Sequence, residues 1–339
     1  MRLNVPNVGG NQRVNNDVAT ATATAVPNSK RKDFVRNLHK VAKQWRLWVM
    51  AAPAIALLFV FAYMPMGGLV IAFKRFDFSK GIWGSPWNTP LFNNFVIVVN
   101  NPAAWRAIRN TLLLNLLFIV VGTCFAIMIS IMLNEIRAKT YKKITQSLTL
   151  LPFFISWVVV GLFASGLLNY ENGVINRMLE AFGMEKVRFY MEPKYWPFLL
   201  LFFNMWKGAG YSAILYLATI TGFSPEYYEA ADIDGASRWQ RIRYITLPLL
   251  KPTIIILTLL ALGGIMRADF GLFFFVTSDV PALYPVTDVL DTFVYRALRV
   301  TGSIGISSAA GFFQSVVSLI FVLTFNWLAN KFDEGYGLF

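Results

Sequence analysis

Six stretches of this 339-residue chain, approximately 47–73, 111–133, 147–168, 196–222, 249–267 and 306–330, are apolar over nearly the whole of their length. At a rise of about 1.5 Å per residue, about 20 apolar residues carry a helix across the hydrocarbon core of a bilayer. Charge or Gly, Pro and Asn punctuation bounds each stretch. The expected class is an all-α integral membrane protein with six transmembrane helices. The scarcity of charge agrees: 14% of residues are charged and 56% hydrophobic, whereas a soluble domain carries about a quarter charged. The first apolar run is much longer than the core of a cleaved signal peptide.

The net charge of +13 has an explanation in loop bias rather than nucleic-acid binding. Residues 1–29 are polar and Ala/Thr-repetitive, too poor in large apolar groups to order, and are expected to be disordered. Residues 30–46 cluster Lys30, Arg31, Lys32, Arg36, Lys40, Lys43 and Arg46 beside the first span, the pattern of a basic interfacial helix on anionic lipid. The membrane-spanning body then runs over 47–330, with a short tail at 331–339. With six spans both termini share a side; placing them in the cytoplasm gives that side 18 Lys and Arg against 12 outside, counting Lys251 and Arg267 with the loops they adjoin. On this reading 134–146 and 223–248 face the cytoplasm. The single cysteine, Cys124, and the single histidine, His39, exclude an internal disulfide, thiolate or His-based metal sites and a Ser/His/Asp triad. No metal site is expected.

The connection 223–248 contains SPEYYEAADIDGASRWQRIRYITLP and reads as a short helix, a turn and a second short helix. Ser224 suits an N-cap, Pro225 the first helical position, and Glu226 the positive helix end. Asp234 and Gly235 break the helix where positive φ is accommodated, and Pro248 and Pro252 mark the entry to the fifth span. Small side chains at Ala230, Ala231, Gly235 and Ala236 leave a thin element that fits a groove on another protein. A surface hairpin that merely connects two spans is the plainer alternative.

Glu229, Ala230, Ala231, then Gly235, then Ile245, Leu247 and Pro248 reproduce the pattern EAA-x3-G-x9-I-x-LP. This resembles the signature of ATP-binding-cassette importer permeases. The stretches WKGAGYSAILYLATITGFSPEYYEAADIDGAS, DVLDTFVYR and IAFKRFDFSKGIWGSPW are similar to the carbohydrate (maltodextrin-type) permeases, in particular their polysaccharide and aldouronate branch. The resemblance implies a type I importer fold with a cytoplasmic coupling helix in a bacterial inner membrane. It implies a second homologous permease, two cytoplasmic ATPase subunits that bind ATP and Mg, and an extracytoplasmic solute-binding protein that delivers an oligosaccharide, neutral or uronic. Carried over by position, Glu229 makes polar contacts in the ATPase cleft, with Ala230, Ala231, Asp234, Gly235, Ala236, Ile245, Leu247 and Pro248 completing the coupling element. The chain has no phosphate-binding GxxxxGK[ST] loop, so it is expected to hold no cofactor and to be no enzyme.

Lys207 falls near the middle of the fourth span, where an ammonium marks a pathway by default, a structural pair with an acidic residue of a partner or snorkelling being the plainer alternative. Asn204, Trp206 and Tyr211 beside it offer amide and rings suited to a sugar, and Arg267 at the outer end of the fifth span offers a guanidinium that binds carboxylates. Arg267 and Asp269 are equally able to pair with one another. Gly208 with Ser212, and Gly161 with Ser165, have the spacing of close helix packing. The competing class is an ion-coupled secondary transporter, which uses acidic residues deep in its spans; none of the six stretches holds one.

Overall fold

The computed structural model describes residues 44–332, which are helical apart from loops and one isolated bridge between Lys74 and Trp87. The expectations for 1–29, for 30–43 and for 333–339 lie outside these residues. Two units divide after Met66. The first holds α1 (Trp45–Leu58), followed by a wide π turn, Phe59–Tyr63. With the 3-10 stretch Met64–Phe73 this makes an apolar helix of 29 residues.

The second unit begins at Gly67 and carries the remaining elements. The longer of them are α2 (Asn93–Asn100), α3 (Pro102–Glu135), α4 (Lys139–Leu150), α5 (Trp157–Leu168), α6 (Val174–Ala181), α7 (Trp196–Thr221), α8 (Glu226–Ile233), α9 (Arg238–Gly263), α10 (Leu290–Arg299) and α11 (Ile304–Phe332). The start of α3 follows from local chemistry: the Asn101 side chain accepts from the Ala103 N–H at 2.9 Å, and Pro102 takes the first position, where its missing N–H costs nothing.

The long pair α3 and α7 forms the central contact. Beside it, Trp196, Leu200 and Phe203 of α7 pack with Val160, Ala164 and Leu168 of α5 and with Leu272, Phe273 and Val276. A second core joins Ala104 and Ala107 of α3 to Ile265, Met266, Leu290, Phe293, Ala309 and Ala310. Small residues permit the closest approaches. A Cβ at Gly161 would stand 2.6 Å from the Phe275 carbonyl oxygen, and one at Gly210 would stand 2.0 Å from that of Thr149. Buried polar groups on α3 pin the segment ahead of α10: Asn110 donates to the carbonyls of Pro285 and Asp288 at 3.2 and 3.0 Å, and the Thr111 hydroxyl accepts from the Leu290 N–H at 2.9 Å.

The spans depart from expectation in two places. The third apolar stretch, expected as one helix over 147–168, is a pair bent by 94° between Phe154 and Trp157. Pro152 opens a short 3-10 turn, Leu151–Phe154, Ile155 is extended, and the Ser156 hydroxyl starts a new helix by accepting from the Val159 N–H at 3.4 Å. The second short helix expected after Gly235 is likewise not separate. Arg238–Arg241 runs through a π turn, Ile242–Thr246, directly into the fifth span. The wide turn lies immediately before Pro248, so the ring meets no tight i−4 bond there.

Candidate functional site

Three helix stripes surround a cavity of about 420 Å³. From α3 come Asn115, Ile119, Gly122 and Thr123; from α7 Asn204, Gly208 and Ser212; from α9 Leu257 and Ala261, with Gly264, Arg267 and Asp269 just beyond its end. The spacing of three to four residues along α3 and α7 is that of one helix face. Gly208 and Ser212, expected to serve close packing, line this space instead, and nothing stands within 4 Å of a Cβ built on Gly208. The same periodicity could have singled out Asn115, Thr123 and Ser212 in the sequence, since each is a polar residue set one or two turns from another on an apolar helix.

The charges at the rim are arranged asymmetrically. Both carboxylate oxygens of Asp269 are engaged, Oδ2 by the Trp157 indole N–H at 2.7 Å and Oδ1 by the Gly271 N–H at 3.0 Å. Among the described residues, the Arg267 guanidinium, which is exposed, has no hydrogen bond or ion pair. Its backbone is fixed from α3, because Asn115 donates to the carbonyls of Ile265 and Arg267 at 2.7 and 3.0 Å and so keeps its own Oδ1 as a free acceptor. The carboxylate of Asp291 is near enough to Arg267 to interact, but it accepts from the Ala268 N–H at 2.8 Å and from Gln314 at 3.1 Å, and burial pushes its carboxyl up from the ordinary range.

The other sequence-chosen path residues lie elsewhere. Lys207, one residue and about 100° around the helix from Gly208, donates to the Phe153 carbonyl at 2.8 Å across the break between α4 and α5. Its ammonium also stands over the rings of Phe153 and Trp157, at 5.3 and 5.2 Å. Tyr211 stacks on Phe153 with ring centroids 4.7 Å apart. Trp206 borders apolar pockets with Phe163 and Phe202. Only Asn204 and Arg267 of the five line the cavity.

At the opposite end of α9, the chain between α7 and α9 makes an elbow. The Ser224 hydroxyl accepts from the Glu226 N–H at 3.4 Å, and α8 begins at Glu226. It ends in a Schellman motif: the Ala236 N–H reaches the Ala231 carbonyl at 2.9 Å, the Gly235 N–H reaches that of Asp232 at 3.1 Å, and Gly235 has φ +73°. Ser237 and Gln240 then close a capping box on α9. Two ties hold the arms together, an ion pair between Asp232 and Arg241 and a hydroxyl pair, Tyr228 to Thr246, at 3.1 Å. Glu229, Ala230, Asp234, Gly235 and Pro248 are exposed, whereas Ala231, Ala236, Ile245 and Leu247 are half-buried. Ile233 stands out at the tip with 88% of its surface open, and among the described residues the Glu229 carboxylate has no partner.

Comparison with known proteins gives a consistent result. Residues 47–334 match the family model described as the binding-protein-dependent transport system inner membrane component. The polygalacturonan/rhamnogalacturonan transport system permease protein YteP of Bacillus subtilis (strain 168) is 34% identical over 316 residues, 93% of this chain and 97% of that one. A chain of a bacterial ABC transporter involved in the import of the acidic polysaccharide alginate superposes with a TM-score of 0.79 at 35% identity, covering 87% of this chain and 99% of its own. A chain of the bacterial alginate ABC transporter in complex with an alginate pentasaccharide-bound periplasmic protein gives 0.77 at the same identity, covering 87% and 98%.

Proposed function

The chain belongs to the family of binding-protein-dependent transport system inner membrane components, and from that premise we propose that it is one of two permease subunits of an ATP-driven importer of acidic oligosaccharides. In this reading a solute-binding protein delivers the sugar from outside, two cytoplasmic ATPase subunits bind ATP and Mg and supply the energy, and both termini lie in the cytoplasm. The relatives carry the partners and the class of sugar: one is named for polygalacturonan and rhamnogalacturonan, and the similar structures are named for alginate and a periplasmic protein.

The observation that carries the acidic assignment is the unpaired guanidinium of Arg267 at the cavity rim. A guanidinium binds a carboxylate through parallel charge-assisted hydrogen bonds. The Asn115 and Asn204 amides and the Thr123 and Ser212 hydroxyls supply donors and acceptors for sugar hydroxyls in the same space. The walls between them are small or apolar, which suits passage rather than retention. The elbow α8 docks in the ATPase cleft, with Glu229 and Asp234 as its free acids and Ile233 as its apolar tip. Its second arm is the start of α9, whose other end brings Leu257 and Ala261 to the cavity, so movement of the docked elbow reaches the cavity through one helix.

ATP turnover by the complete assembly tests this. A binding protein loaded with a galacturonate or alginate oligosaccharide should stimulate turnover, and a neutral malto-oligosaccharide should not. Arg267→Ala should reduce the stimulation by acidic sugar by about tenfold or more, the size of one charge-assisted contact. Equal stimulation by neutral sugar removes the acidic assignment.

A further inference from the structure

Arg267 and Asp269 are two residues apart at one cavity rim. Opposite charges so placed ordinarily find each other, and a bidentate pair would cancel the cation that an acidic sugar needs. Here the carboxylate is turned away by a third residue. Trp157, at the first position of α5 and immediately after the break in the third span, donates its indole N–H to Asp269 at 2.7 Å. The ring lies directly on Gly271, where a Cβ would meet it at 2.3 Å, so the seat of the indole exists only because residue 271 has no side chain. The Gly271 N–H completes the hold on the second carboxylate oxygen.

The indole has a charged neighbour as well. Lys207 stands 5.2 Å from the ring centroid and is itself tethered to the Phe153 carbonyl. A cation over an aromatic face draws electron density from the ring and makes its N–H a stronger donor, while the carboxylate that accepts from that N–H balances the charge. Lys207, Trp157 and Asp269 thus form a chain from the break in the span to the cavity rim.

We propose that Trp157 is a positioning residue that sets substrate specificity: by holding Asp269 off Arg267, it keeps a free cation in the cavity for a carboxylate-bearing sugar. This rests on the acidic-oligosaccharide reading above. Trp157→Phe keeps an aromatic ring and removes the N–H, which releases Asp269 to pair with Arg267. Adding Asp269→Asn removes the charge that does the quenching.

The experiment compares ATP turnover of the complete assembly in lipid nanodiscs with binding protein loaded either with a galacturonate oligosaccharide or with a neutral malto-oligosaccharide of equal length. The readout is the ratio of the two stimulations. Trp157→Phe should lower the acidic-to-neutral ratio by about tenfold, and Trp157→Phe combined with Asp269→Asn should bring it back toward that of the unmodified assembly. A merely structural role for Trp157 lowers both stimulations together and is not rescued by Asp269→Asn, and that result overturns the proposal. An unmodified assembly that prefers acidic sugar, and keeps the preference in Trp157→Phe, overturns the proposal alone. An unmodified assembly without preference overturns the acidic reading and the proposal with it.

Discussion

Individual side chains here divide into those whose hydrogen-bonding capacity is spent inside the protein and those left open. Glu229 is of the second kind, an exposed carboxylate on α8 without a partner among the described residues. Replacing it by alanine should leave the subunits assembled and lower binding-protein-stimulated ATP turnover and uptake by about tenfold or more, the loss of one contact to a charged group. Unchanged uptake would remove it from the docking role. Asp291 is of the first kind. Its folded carboxyl is raised above the usual 3.8, chiefly by burial, so the unfolded chain gives up this proton first. Stability from this residue is therefore present in acid and is lost as pH climbs from 3.8 toward the folded value. Asp291→Asn, which can still accept from Ala268, should flatten that part of the pH profile of thermal unfolding in detergent. Lys207 shows why residue roles are harder to read than residue types. An ammonium in the middle of an apolar helix announces a polar neighbourhood, but the neighbour is a carbonyl freed by a break in another helix, and a linear sequence does not report where that carbonyl lies.

Elements were legible where their signal is local. The apolar lengths mark where the spans lie, and SPEYYEAADIDG places the cap, the helix and the positive-φ stop of the elbow within a residue. Two features were not legible for the same reason: proline is ambiguous. Pro152 with Ser156 ends one helix and starts another inside a run whose hydropathy never falters, whereas Pro248 and Pro252, which look like the same punctuation, sit inside α9 because a π turn absorbs the first of them. The loop between α9 and α11 illustrates a third case, stabilisation by charge. Asp288, almost wholly buried, is paired with Arg296 and with Arg106 at 3.6 Å, and Arg296 also holds Asp279 at 2.9 Å and stands 4.1 Å over the Tyr284 ring. Arg296→Met should destabilise the folded subunit by about 3–5 kcal/mol, because it strands a buried carboxylate. A loss of less than about 1 kcal/mol, measured by chemical unfolding in mixed micelles, would mean that Arg106 alone suffices.

For the molecule as a whole, the cavity is bounded on the sides that α3, α7 and α9 cover, and a second permease completes it in the proposed assembly. That accounts for what the sequence could and could not disclose about the cavity: Asn204 and Arg267, chosen from type and position, line it, but the stripe they belong to exists only once three helices from distant parts of the chain are brought together. The energy source separates this proposal from ion-coupled transport. In proteoliposomes containing the complete assembly, uptake of labelled acidic oligosaccharide should require both internal ATP and external binding protein, and should persist when ionophores collapse the proton and sodium gradients. Uptake driven by a gradient without ATP would reverse that assignment.

The continuous run of α9 from Arg238 to Gly263, through a π turn and past Pro252, has a mechanical corollary. Its 26 residues measure about 39 Å, and a lean of about 6° about the middle swings each tip by about 2 Å. Bending along its length is confined to two places, the π turn Ile242–Thr246 and Pro252. What those two places do not absorb of a displacement near Ser237 reaches the far tip at Gly263 in the opposite direction.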